Sequence, residues 1–333
     1  MYDLLAIVSG AGILSLRPLQ YLAKKGRGNE KTVLLMASMA SAMLVACVMA
    51  ALMALPGSGQ TRTATLVGSG DIASCSQTND GATARLLGKI PGTVFTLGDN
   101  VYPYGSAANF RDCYRPNWGD YKRRTKPSVG NHEYYDKNYN STTSAGPYFD
   151  YFGWRAGERG KGYYSYKRGS WHIVVLNSNC HKVGGCGKRS PQGRWLRNNL
   201  ANNPSRCTLA YFHRPLYSTG TNVAGPDVKP FWRTLHDRDA DLIVNGHAHR
   251  YERFAPMTPD GTRSDNGIRE IVAGTGGQPG GSEISYADAP NLQRVKTGVF
   301  GVLRLSLRAN SYEWKFVRAA GKAFTDSGST SCH

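Results

Sequence analysis

An α/β domain is the fold class this sequence predicts, and two observations carry it. Between residues 64 and 320, short apolar runs alternate with segments whose apolar residues recur at helical spacing. Five of those runs end in side chains of the metal-binding type. In open α/β sheets the carboxyl ends of the strands are where ligands are held.

The chain begins differently. Val33 to Leu55 is a run of 23 uncharged residues. As a helix it is roughly 34 Å long, enough for a hydrocarbon core near 30 Å. Arg17, Lys24, Lys25, Arg27 and Lys31 precede it, which places that side in the cytoplasm and the residues from about Gly57 onward outside. Residues 1–63 are therefore read as an export leader or membrane anchor plus linker. Leu44-Val45-Ala46-Cys47 resembles a lipoprotein box, and Met36 is a second candidate start, so cleavage, lipidation and retention all stay open.

The domain proper runs over 64–320, with 321–333 as a tail. Its first strand-end motif is Val67-Gly68-Ser69-Gly70-Asp71. Asp80 is the expected cap of a helix from Gly81 to about Leu87. Thr93–Leu97 is a buried strand ending in Gly98-Asp99-Asn100-Val101-Tyr102. Asp99 is a carboxylate able to bridge two ions, and Tyr102 is one short turn away. Ala107 to Tyr121 reads as helical, broken by Pro116.

Lys126–Glu133 is a short strand ending in Gly130-Asn131-His132-Glu133. Residues 134–166, rich in Tyr, Gly and Asn, read as a long loop. Trp171–Leu176 is a buried strand in which His172 is structural. Ser190-Pro191 opens a helix striped by Trp195, Leu196 and Leu200. Cys207–Phe212 is a strand ending in His213. Pro230–Arg238 holds a further helix, with His236 on its surface. Asp241–Asn245 is a strand ending in Gly246-His247-Ala248-His249. Ile268–Val272 and Gly301–Val317 complete the strands, with Ala309-Asn310-Ser311 as a hairpin turn.

Six cysteines lie beyond the leader, an even number that fits disulfides in an exported protein. Cys180–Cys186 closes a short loop, and Cys75–Cys113 is the favoured second pair because both follow motif strands. The chain holds 41 basic and 23 acidic residues, net +18, a charge that attracts anions. No lysine-rich tract or basic-aromatic motif singles out nucleic acid, so no specific nucleic-acid partner is expected.

Taken together, the five motifs resemble the calcineurin-like metallophosphoesterases, and within them the purple acid phosphatase branch. Gly70-Asp71, Gly98-Asp99-Asn100-Val101-Tyr102, Gly130-Asn131-His132-Glu133, Ala210-Tyr211-Phe212-His213 and Gly246-His247-Ala248-His249 fall in the branch's order, and Tyr251-Glu252-Arg253 fits its tail. The resemblance implies a four-layer αββα sandwich and a dinuclear phosphoesterase. It implies Asp71, Asp99, Tyr102 and His249 on a first ion, and Asp99, Asn131, His213 and His247 on a second. Two carboxylates and a phenol suit iron(III). Imidazoles with an amide suit Zn, Fe(II) or Mn(II).

By the same resemblance the substrate is a small phosphomonoester and the attacking group a metal-bound hydroxide. His132 is the catalytic residue, meeting the phosphate or protonating the leaving oxygen. The expected substrate contacts are Asn131, His132 and Asn222, the last standing where animal and plant relatives carry a histidine. Ala73 and Ala210 replace the family's Gly and Val. A phosphodiesterase on the same site, and a non-catalytic envelope protein binding phosphate or polyanions, are the alternatives.

Overall fold

The computed structural model describes residues 63–221 and 223–333. β1 (Ala64–Ser69), β3 (Thr93–Leu97) and β5 (Thr125–Ser128) run parallel. β2 (Ala73–Ser74) and β4 (Val101–Tyr102) pair just beyond them. β13 (Val299–Leu307), β14 (Ser311–Gly321) and β15 (Asp326–Ser331) add antiparallel strands, giving the order β15-β14-β13-β1-β3-β5.

The second sheet contains β6 (Tyr164–Arg168), β7 (Trp171–Val175), β8 (Cys207–Phe212), β9 (Leu242–Asn245), β10 (Arg250–Phe254), β11 (Arg269–Ala273) and β12 (Leu292–Thr297). Its order is β12-β10-β11-β9-β8-β7-β6. β7, β8, β9 and β11 are parallel. Parallel neighbours need crossovers, and helices supply three of them. α1 (Asn79–Lys89) lies between β1 and β3, α3 (Pro191–Asn202) between β7 and β8, and α4 (Lys229–His236) between β8 and β9. A further helix, α2 (Gly146–Phe152), follows β5.

Strand side chains alternate between faces, and that alternation builds four layers. Leu66 of β1, Leu209 and Tyr211 of β8, and Leu242 and Val244 of β9 join one core between the sheets. Val67 turns outward to meet Ala84 and Leu87 of α1. Ala210, Phe212 and Ile243 turn outward to meet Leu196 of α3 and Phe231, Trp232 and Leu235 of α4. The order helix, sheet, sheet, helix is the αββα expectation. The parallel strands of both sheets present their carboxyl ends at one edge.

Three local expectations change. α1 starts at Asn79, with Thr78 at the cap position and no side-chain cap bond. Asp80 lies in the first turn instead, where Asn117 Nδ2 donates to its Oδ2 at 2.9 Å. Residues 134–166 are not all loop: they hold α2, because Tyr148, Phe149 and Phe152 are spaced to bury one face beside Phe110 and Tyr114. Residues 321–333 are no tail. β15 pairs with β14, and Cys332 is bonded to Cys207 across a separation of 125 residues. Ser190 does cap α3, its Oγ accepting from the Gly193 N–H at 3.0 Å.

Cys75–Cys113 and Cys180–Cys186 are both bonded as expected. The leader expectation for residues 1–63, with its apolar run Val33–Leu55, lies outside the described residues. No helix among the described residues is long and apolar enough to cross a membrane.

Candidate metal centre

Each motif places its side chain one to three residues past a strand end. Asp71 follows β1, Asp99 follows β3, Asn131 follows β5, His213 follows β8 and His247 follows β9. Three of them have positive φ: Asp71 at 58°, Asp99 at 47° and His247 at 68°. That region is unfavourable for residues with a Cβ, and such strain gathers at functional sites. Gly98, at φ 81°, precedes Asp99, and a Cβ there would strike the His213 ring at 2.7 Å. A Cβ on Gly130 would come within 2.1 Å of Asp99 Oδ1.

The first cluster surrounds the Tyr102 hydroxyl. Its Oη lies 2.8 Å from Asp71 Oδ1, 2.9 Å from Asp99 Oδ2 and 3.0 Å from His249 Nε2. His249 Nδ1 is 2.9 Å from the Pro279 carbonyl, which fixes the N–H there and turns Nε2 toward Asp71 Oδ1 at 3.1 Å. Burial, with Asp71 and Asp99 adding to it, pushes the Tyr102 phenol well above its usual range. Burial works against charge on His249, but Asp71 outweighs it and lifts the imidazole to about 9.

The second cluster surrounds His213 Nε2. Asn131 Oδ1 is 3.0 Å away, His247 Nδ1 3.1 Å and Asp99 Oδ2 3.2 Å. His213 Nδ1 faces the Leu97 carbonyl at 2.7 Å and must carry a proton. Arg214 Nη1 lies 3.2 Å from His247 Nε2. With Asp99 ionised, no proton assignment satisfies every contact. A neutral His213 turns a lone pair on the Asp99 carboxylate. A charged His213 forces the His247 proton onto Nε2, against the Arg214 donor. Burial opposes ionisation of Asp99, yet His213 and His132 outweigh it and hold the carboxyl well below its usual range. Burial, His213 and Arg214 hold His247 well below the usual imidazole value.

Lone pairs aimed at common points with too few protons between them are what a cation satisfies. Asp99, His213 and His247 have ligand atoms all within 4.8 Å of one another. Asp99 Oδ2 belongs to both clusters. Each histidine whose Nδ1 is fixed by a carbonyl presents Nε2, an arrangement that orients metal ligands. The donor set therefore fits two ions. Cys207, Asp241 and Cys332 also converge, but the two sulfurs are bonded to each other and no thiolate is available there.

Residues 70–251, more than half of the chain, match the family described as Calcineurin-like phosphoesterase. The chain belongs to the calcineurin-like phosphoesterase family. Purple acid phosphatase 15 of Arabidopsis thaliana is 27% identical over 255 residues, 66% of this chain and 46% of the relative. An uncharacterised protein of Mycobacterium tuberculosis is 28% identical over 247 residues, 62% of this chain and 46% of its own length. The chain thus spans about half the length of the curated relatives it matches. Among solved structures, a purple acid phosphatase from yellow lupin (Lupinus luteus) seeds superposes with a TM-score of 0.62 at 19% identity, covering 82% of this chain and 54% of that one. A dimetal phosphatase from Danio rerio superposes at 0.51 and 13% identity, covering 79% and 98%. At these identities the superpositions show the fold. The family, with relatives named purple acid phosphatases, implies two metal ions.

The structure brings Asp71, Asp99, Tyr102, Asn131, His213, His247 and His249 to one place. His132 stands at the rim: its Nδ1 faces the Pro103 carbonyl at 2.6 Å, and its Nε2 is 3.8 Å from Asp99 Oδ2. Asn222 lies outside the described residues. His172 is buried inside β7, away from these clusters.

Two further residues, Glu133 and Arg214, support this calcineurin-like centre. Glu133, fully buried, accepts from the backbone N–H groups of Gly130 at 2.7 Å, Asn100 at 2.7 Å, Asp99 at 3.1 Å and Val101 at 3.3 Å. It holds the Asp99 turn in its left-handed conformation. Burial and the Asp99 charge raise it to about 7. Arg214 reaches His247, whereas Arg253 is paired with Asp326 at 2.7 Å. Adjacency to His213 is the signal that singles out Arg214.

Proposed function

We propose that this chain is a dinuclear metal-dependent phosphoesterase acting on phosphomonoesters outside the cytoplasm. The carrying observation is the pair of clusters that share Asp99 Oδ2, the second of which has no consistent proton assignment while Asp99 is ionised. Asp71, Asp99, Tyr102 and His249 would hold the first ion, and Asp99, Asn131, His213 and His247 the second. Such a pair supplies Lewis acidity toward the phosphoryl oxygens and an activated water at neutral pH.

The chain's own groups do the rest. His132 has its Nδ1–H fixed on Pro103, so Nε2 exchanges a proton with, or hydrogen-bonds to, an ester oxygen placed beside Asp99. Arg214 adds a cation at the edge of the second cluster and attracts the phosphate dianion. Glu133 keeps the Asp99 turn rigid, so the shared carboxylate does not swing away. The left-handed Asp71, Asp99 and His247 make the site preorganised at a cost of roughly 1–3 kcal/mol each. Three disulfides in the domain are consistent with an extracellular location.

Hydrolysis of p-nitrophenyl phosphate by the purified, metal-loaded chain tests this reading. Folded, loaded protein that turns over no monoester would refute it. If the first ion is iron(III), visible absorption from a phenolate–iron contact should accompany activity, and Tyr102→Phe should abolish the band while leaving partial activity with divalent metals. A colourless, fully active protein holding only divalent ions would remove the iron assignment alone.

A further inference from the structure

β5 is the last strand of the first sheet and β6 the last of the second, and the two edges meet. The Tyr164 hydroxyl of β6 donates to the Pro127 carbonyl of β5 at 2.8 Å. Beside this seam the turn Gly153–Ala156 carries Trp154, which is 71% exposed. Cations gather around it. Lys126 Nζ lies 4.8 Å from the Trp154 ring centroid and 5.4 Å from that of Tyr166. Arg155 Cζ lies 4.6 Å from the Trp154 ring, and Arg168 Cζ 5.9 Å from Tyr166. Lys122 Nζ is 4.5 Å from the Tyr151 ring.

These cations act on one another. Burial, with the charges of Arg168 and Arg155, holds the Lys126 amine below its usual value. Burial, with Arg155 and Arg115, does the same to Lys122. None of the five takes part in an ion pair among the described residues. Asp150 is already paired with Arg159 at 2.6 Å, and Asp120 lies in the adjoining segment Trp118–Arg124. Charged side chains on edge strands keep sheets from pairing with other chains. That role accounts for Lys126 and Arg168. It leaves Trp154 unexplained, because an exposed indole invites contact.

The patch sits away from the metal centre. Lys126 is the second residue of β5, and Arg168 is level with Trp171 at the start of β7. Arg168 Nε donates to Thr93 Oγ1, at the start of β3, at 2.7 Å. Asp99 and Asn131 follow the opposite ends of β3 and β5. The chain enters β1 at the patch's end, Leu66 lying level with Thr93. Residues 56–62 alone separate Thr63 from the apolar run that ends at Leu55. A link of that length reaches no more than about 28 Å.

We propose that Trp154, Lys126, Arg155 and Arg168 form a docking surface for a membrane that carries anionic lipid headgroups. Indole rings favour the bilayer interface, and Lys and Arg are drawn to an anionic lipid surface. A soluble polyanion would meet the same charges. The exposed indole and the point where the chain enters the domain favour lipid. The metal centre, at the opposite end of the strands, stays open to solutes.

Tryptophan fluorescence of the full chain in lipid nanodiscs tests this. One set of discs is phosphatidylcholine, the other phosphatidylcholine mixed with phosphatidylglycerol. Trp154 is the most exposed tryptophan, so acrylamide quenching reads it, with Trp154→Phe as the blank. In anionic discs the Trp154 contribution to quenching should be lost, and in phosphatidylcholine discs it should persist. The triple variant Lys126→Gln, Arg155→Gln, Arg168→Gln should weaken docking roughly a hundredfold and restore quenching in anionic discs. High salt should do the same in wild type, a check that needs no variant. If the isolated chain lacks the apolar run, vesicles of the two compositions replace the discs. Turnover of p-nitrophenyl phosphate should be the same in wild type and both variants. Protection in both kinds of disc, protection in neither, or protection that survives high salt would overturn the proposal. Equal protection by soluble polyphosphate without lipid would also overturn it and assign the patch to a soluble polyanion.

Discussion

Two buried polar clusters in this domain have opposite character. Around Asp326, every contact pairs a donor with an acceptor. Its carboxylate accepts from Tyr251 Oη at 2.7 Å, Arg253 Nε at 2.7 Å, Arg253 Nη2 at 3.2 Å and Trp314 Nε1 at 3.2 Å. The Arg253 and Arg269 guanidinium groups lie 5.1 and 4.8 Å from the Trp314 ring and share Gln293 as acceptor. Around Asp99, the Tyr102 hydroxyl and the His132 N–H donate to the carboxylate, but while it is ionised no placement of protons satisfies the contacts among its Oδ2, His213, His247 and Arg214 together. Folding alone explains the first cluster, because the buried Asp326 carboxylate is compensated inside the protein by Arg253 and the neutral donors around it. The second is compensated only by something added. Residue types alone do not separate the two clusters, since both are built on an aspartate and a tyrosine; satisfaction does.

The sharpest break between them is Asp99→Ala. Its oxygens serve both proposed ions, so its loss should cut p-nitrophenyl phosphate turnover at least about a thousandfold, in keeping with the several kcal/mol that a metal centre supplies. Calorimetry of the metal-free protein should show a much smaller effect on stability. A variant that kept a tenth of the activity would show that Asp99 is not shared between ions.

Asp326→Ala should do the reverse. It strands Arg253 and leaves the hydroxyl of Tyr251 and the indole N–H of Trp314 without an acceptor, so unfolding free energy should fall by about 3 kcal/mol. The Kd for methylphosphonate should be unchanged at temperatures where the variant is folded. If stability holds and affinity falls, the two clusters are coupled and the contrast is wrong.

The centre was legible in the sequence because each part of it is local. A strand end and a candidate ligand fit within about six residues, with a glycine between them in four of the five units, and the five together specify the edge that collects them. The left-handed turn at Asp99 was not legible, since it depends on Glu133, 34 residues away along the chain, reaching its N–H. Cys207–Cys332 pairs residues that only the closed sheet brings together. β15 reads Asp-Ser-Gly-Ser-Thr-Ser, with none of the apolar alternation that signals a strand. It is held by pairing to β14 and by the donors that converge on Asp326. α2 was hidden by the glycines and tyrosines around it, although Tyr148, Phe149 and Phe152 do carry a helical stripe. Asp80 looked like a cap because aspartate is good at that position, but Asn117 takes its carboxylate instead.

The smallest expected effect sharpens the same comparison at a third cluster. Glu270 is fully buried, and its Oε1 accepts from the Leu216 N–H at 3.1 Å while Oε2 has no partner. Glu252 is close by, its Oε1 accepting from the Thr219 N–H at 2.9 Å and the Ser218 hydroxyl at 3.2 Å. Burial raises the Glu270 carboxyl well above its usual range, and the Glu252 charge adds to this against the opposing Leu216 and Tyr217 N–H groups. Here the missing partner is a proton, since burial and the Glu252 charge both favour the neutral carboxyl. The fold therefore prefers Glu270 protonated. That stabilisation is complete below the unfolded carboxyl value near 4.3 and is lost as pH rises toward and through the raised folded value. Stability measured in urea at a series of pH values should decline over that window by on the order of 1 kcal/mol more in wild type than in Glu270→Gln, which stays neutral throughout. The backbone from Leu216 to Thr219, which follows His213, should lose amide-exchange protection over the same window in wild type only. Matching pH profiles for the two proteins would mean that Oε2 finds a partner other than a proton, and Glu270 would then belong with the Asp99 cluster rather than apart from it.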